Sequence, residues 1–196
     1  MTHSLILAYG ETYIKEFPLI LIVGREPNNA TISDNSLGHF DFQQFPRCSF
    51  WNMAFKLIGS YNGLSTKEIK KLFAKTKSTP VIFSDAAAKG ISSMIIDKNI
   101  IRDSMTKLDF DNQVEAIFFN HALIKRVKLI ITSGLSKNLY VDFKQALHKE
   151  AKAKQIPVID ISFLYGTNYP RIQGEIGNNE AAIIKEVFET YQTFSK

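Results

Sequence analysis

The sequence predicts a three-layer α/β/α domain built on a four-stranded parallel sheet. Four short apolar runs stand apart along the chain, and helical periodicities fill the intervals between them. Long irregular stretches follow three of the runs. Strands that alternate with helices imply parallel crossovers, with helices on both faces of the sheet.

Leu19–Val23 is an unbroken run of leucine and β-branched residues. Such a run is apolar on both faces and belongs inside a parallel sheet. Gly24 and Pro27 then turn the chain, with Glu26 the lone acid in that turn. This is the carboxyl edge of the strand, where open α/β sheets place their ligands. Residues 24 to 49 carry no periodic element. Phe50, Ala54, Phe55 and Leu57 then begin a helix. Ser65-x-x-Glu68 is a capping box opening a second, which runs to Lys75.

Val81–Ser84 is the second strand, followed by an irregular stretch over 85 to 110. Val114, Ile117, Phe118 and His121 mark the next helix, and Val127–Thr132 the third strand. Tyr140, Phe143, Ala146 and Leu147 mark a further helix before the last strand, Pro157–Ile161. Residues 162 to 176 read as a third irregular loop. Ala181, Ile184, Val187 and Phe188 mark the final helix. Irregular loops beyond about 12–15 residues are uncommon and often functional. All three follow strand carboxyl ends, so they should gather on one rim.

The chain has 196 residues, of which 45% are apolar, enough for a single domain over 1–196 with a full core. One cysteine excludes an internal disulfide framework and a thiolate zinc cluster, and it fits a reducing, cytoplasmic compartment. The four histidines are scattered without metal-ligand spacing. No apolar run approaches the roughly 20 residues of a membrane span. The first residues lack a basic start and soon meet Glu11, which makes a poor signal peptide. The net charge of +5 is compatible with a polyanionic partner. Lys67, Lys70, Lys71, Lys75 and Lys77 form a basic helix that reads as a solvated face.

The string Val23-Gly24-Arg25-Glu26-Pro27-Asn28 is followed by Gly38-His39-Phe40-Asp41-Phe42-Gln43-Gln44-Phe45-Pro46-Arg47-Cys48-Ser49-Phe50-Trp51. In order and spacing this resembles the uracil-DNA glycosylase superfamily, especially its mismatch-specific uracil/thymine branch. That branch carries G-x-N-P-G after its first strand and then G-x-x-F/Y…P-x-N-x-F-W. Gly24, Pro27, Gly38, His39, Phe50 and Trp51 fit the pattern. Glu26 stands where the family has Asp or Asn, and Cys48 where it has Asn. The resemblance is dense over residues 19 to 58.

It implies a uracil-DNA glycosylase-like fold, DNA as partner, and hydrolysis of the N-glycosidic bond of uracil or another deaminated or damaged base. Such cleavage builds cationic character on the sugar and negative charge on the departing base, and it needs no metal or organic cofactor. Glycoside hydrolases meet the same kind of cation with carboxylates. Glu26 is therefore the candidate catalytic residue, as cation stabiliser, water-orienting group or base.

Gly24, Arg25, Pro27, His39, Phe40, Phe42 and Asp85 are the candidates for a base pocket. Phe40 and Phe42 either stack on an extruded base or cover the sheet edge as core aromatics. His39 either touches base or phosphate or is a structural hydrogen-bonding histidine. Asp85 fits a T/S-D that the family shows after its second strand; it organises the rim or contacts base or backbone. Phe50 and Trp51 read as core, and Cys48 as structural.

Relatives also carry a DNA-gripping loop after the last strand. Ser133-Gly134-Leu135-Ser136-Lys137 looks like that string but follows the third strand. By topology the counterpart is the 164–171 loop. There Thr167, Asn168 and Arg171 are candidates for phosphate contacts, and Tyr169 for a wedge into DNA. No obligatory protein partner is evident. Two other readings stand beside the enzyme. One is a non-catalytic nucleic-acid- or nucleotide-binding protein of the same fold. The other is an unrelated α/β domain acting on a small phosphorylated or sugar ligand.

Overall fold

The computed structural model describes residues 6–25, 40–43, 49–86, 107–119, 121–135, 140–164 and 166–194. Four strands form one sheet: β1 (Leu19–Gly24), β2 (Val81–Asp85), β3 (Val127–Ser133) and β4 (Val158–Ile161). All pairings are parallel and the order is β2-β1-β3-β4. The uniform apolarity of Leu19–Val23 has the expected result. β1 is interior, and all six of its residues are buried.

Seven α-helices flank the sheet among the described residues: α1 (Ser49–Tyr61), α2 (Thr66–Thr76), α3 (Lys107–Phe119), α4 (His121–Ile124), α5 (Val141–Ala153), α6 (Tyr169–Glu175) and α7 (Asn178–Thr193). They fall into two groups. On one side α1 packs with α2 and α7; on the other α3 packs with α5. The first group encloses an aromatic layer in which Phe55, Phe73 and Phe83 meet edge to face. Phe17 and Tyr191 extend that layer. In the second group Phe110 lies against Tyr140 and Phe143.

The capping box forms as its sequence requires. The Ser65 hydroxyl accepts from the Glu68 amide at 3.3 Å, and the Glu68 carboxylate accepts the Ser65 amide at 2.8 Å. α2 ends with Lys77 in the left-handed region.

Two expectations need correction. Residues 162 to 176 are not an irregular loop: a 3-10 turn (Gly166–Asn168) leads into α6. The helix marked by Val114 and Ile117 begins earlier, at Lys107, and His121 belongs to the short α4 rather than to α3.

At the outer edge of β2, Leu7 exchanges both backbone hydrogen bonds with Phe83, at 2.8 and 2.9 Å. On β4, Asp160 accepts from Thr132 Oγ1 at 2.5 Å, pairs with Lys144 Nζ at 2.7 Å, and lies 3.3 Å from His148 Nε2. This carboxylate ties β4 to β3 and to α5. No described helix is long and apolar enough to cross a membrane.

Candidate functional site

The strand order fixes where a crevice opens. From β1 the chain crosses one way to β2, and β3 lies on its other side. The topological switch point is therefore at the carboxyl ends of β1 and β3, where open α/β sheets bind ligands. Gly24 ends β1 there and Arg25 follows it; Ser133 ends β3 and Gly134 follows it.

Gly24 is the packing pivot. It stands in register with Asp85 of β2, and its carbonyl accepts the Ala86 amide at 2.9 Å. A Cβ placed on Gly24 would come within 2.5 Å of Asp85 Oδ1 and 3.3 Å of Phe50 Cζ. Three residues far apart in sequence thus converge on one point, and a larger residue at Gly24 would have to displace the Asp85 carboxylate and press on the Phe50 ring. The Asp85 main chain is fixed from the side as well, because Gln113 Nε2 donates to its carbonyl at 2.8 Å.

Beside Gly24, the half-buried Arg25 lays its guanidinium over the ring of Phe163, 4.4 Å from the centroid. Its Nε is buried and has no hydrogen-bond partner among the described residues. Phe163 follows β4 and was not among the sequence candidates. It lies outside any periodic segment, and only the closure of β4 onto β3 brings it to the rim.

Its position is tightly held. The Ser162 amide and hydroxyl donate to the Glu175 carboxylate at 2.5 and 2.6 Å. The Leu164 amide donates to Ser133 Oγ at 2.9 Å. Gly134 adopts φ +73°, a left-handed conformation, and a Cβ there would meet Phe163 Cδ2 at 2.7 Å. The ring of Phe50 lies 6.4 Å away between centroids, tilted by 33°. The ring of Phe163 is thus a fixed platform assembled from β1, β3, β4 and α1.

The other candidates fall into three groups. Glu26, Pro27 and His39 lie outside the described residues, as does Cys48. Phe40 and Phe42 are buried, 6% and 3% exposed, with their rings against Tyr9, Trp51, Phe55 and Phe83. Of their two alternatives, the packing matches the core one.

Thr167 and Arg171 are exposed and Asn168 is half-buried. Tyr169 is not a wedge. Its ring is buried, its hydroxyl donates to the Lys56 carbonyl at 3.3 Å, and Lys56 Nζ sits 3.9 Å from its centroid. An aromatic N-terminal residue with Pro170 behind it anchors α6 onto α1 instead.

Arg171 Nε pairs with Glu175 Oε1 at 2.9 Å. Burial raises the Glu175 carboxyl, but hydrogen bonds from Ser162 and Arg171 outweigh it and hold the group below its ordinary value. Among the described residues no three potential metal ligands cluster.

No family model and no curated protein matches the chain.

Proposed function

We propose that this protein is a DNA glycosylase-like hydrolase that removes uracil or another deaminated base from DNA. One observation carries the reading: Gly24, Phe50 and Asp85, three residues of the resembling motifs, converge at the carboxyl end of the central strand. The chemistry asked of that rim is modest. A carboxylate must stabilise the sugar cation as the base departs. Glu26 follows Arg25 directly in the chain and supplies that carboxylate. Thr167 and Arg171 are exposed beyond β4, and on this reading they meet the phosphates.

The test is excision of uracil from single- and double-stranded oligonucleotides. Glu26→Gln should keep the fold and most DNA affinity while slowing cleavage about 10²–10³-fold, the usual cost of one preorganised electrostatic contact. Excision that is equal in wild type and Glu26→Gln rules out the role given to Glu26. If no variant excises any deaminated base, the non-catalytic nucleotide-binding reading replaces this one.

A further inference from the structure

We infer that Arg25, stacked on Phe163, is the seat of a phosphate: it takes an oxyanion of a nucleotide at the switch point of the sheet. This goes beyond base removal but rests on reading the rim as a nucleotide-binding site.

The argument begins with charge. Arginine stays protonated at any physiological pH. A partly desolvated cation is costly unless it is paired. No carboxylate among the described residues forms an ion pair with Arg25, although Lys15, Lys144 and Arg171 each have one. Its guanidinium lies on the face of Phe163, and among the described residues its Nε has no hydrogen-bond partner. Stacking on a ring engages one face of a guanidinium and supplies no acceptor to its N–H donors.

Placement comes next. Arg25 emerges from the central strand at the crevice between β1 and β3, where ligands of such sheets dock. Phe163 is held by Gly134, Phe50, and the hydrogen bonds of Ser162 and Leu164. The guanidinium is therefore preoriented, and little side-chain entropy is lost when it binds. A planar fork held still matches two oxygens of a phosphate better than it matches a single carbonyl. The net charge of +5 favours approach of a polyanion.

The phosphate has two possible sources, an internal phosphodiester of DNA or the terminal phosphate of a free nucleotide. Two binding arms separate them. The first is fluorescence anisotropy of a labelled, uracil-containing oligonucleotide, single-stranded and duplex, over a series of salt concentrations. The second is calorimetric titration of deoxyuridine monophosphate against deoxyuridine. Both use the Glu26→Gln background, so that turnover does not intrude. For a phosphodiester, adding Arg25→Gln should weaken oligonucleotide binding about tenfold or more and lower the salt slope by about one. For a terminal phosphate, the monophosphate should bind more tightly than the nucleoside, and Arg25→Gln should erase that difference.

Arg25→Lys should keep the salt slope while losing part of the affinity. Phe163→Leu, which removes the platform and keeps the charge, should do the same. Circular dichroism checks the fold of each variant, and Arg25→Lys remains decisive if Phe163→Leu unfolds. Unchanged affinity and slope in folded Arg25→Gln, on every probe, overturns the inference; so does failure of the parent to bind any of them. The outcome is separable from the proposed function. Phosphate binding that depends on Arg25 without any excision keeps the inference and removes the glycosylase reading. Excision with binding indifferent to Arg25 does the reverse.

Discussion

At the scale of single residues, Gly24 shows how little room the rim leaves. Its absent Cβ is what lets Asp85 and Phe50 close over the strand end. Gly24→Ala should destabilise the fold by about 1–3 kcal/mol, as overpacking does in a filled site, and should impair whatever the rim binds. Urea unfolding with a ligand-binding assay checks both; an alanine variant as stable as wild type would mean that Phe50 and Asp85 yield easily. Gly24 and Arg25 were legible because a turn signal ended an apolar run. Phe163 was not, because an aromatic in the irregular stretch after a four-residue strand has no period to announce it. Phe40 and Phe42 stayed ambiguous because they alternate with polar neighbours, and burial decided between their alternatives.

At the scale of elements, what could be read was what carries a local rule. The capping box at Ser65 needs only three residues of context, and it forms. Ser65→Ala removes the acceptor for the Glu68 amide and should cost about 1 kcal/mol, a fall in melting temperature of about 2–4 °C for a chain of this size. Calorimetry measures it, and no shift would mean that water replaces the cap. The element that escaped notice was α6. It has Pro170 near its start and Gly174 near its end, and only Tyr169 and Ile172 turn inward. Two buried residues in seven give no readable periodicity. Tertiary contact with Lys56 and the Ser162–Glu175 bonds hold it in place. The same contact turns Tyr169 inward, so a residue read as a DNA probe became an anchor.

At the scale of the whole molecule, the sheet was the most legible feature. Its strands are apolar runs separated by helical periods, and the most uniform run took the interior place. The rim was legible only as a region, since its partners come from four separate parts of the chain and meet only on folding. The clasp at Asp160 has a consequence for the free energy of the entire fold. Burial raises its carboxyl, but bonds from Lys144, Thr132 and His148 with the Lys144 charge outweigh it, and the group titrates below its ordinary 3.8. A carboxyl lowered on folding binds fewer protons in the native state than in the unfolded one. Its contribution is therefore complete above 3.8 and drains away as pH falls through the lower native value. Asp160→Asn should be less stable than wild type at neutral pH, and the two denaturation curves should draw together in acid. A gap that stays constant with pH would mean the clasp acts by shape rather than by charge. Proton uptake at one edge strand thus loosens the entire fold, and does so only below pH 3.8.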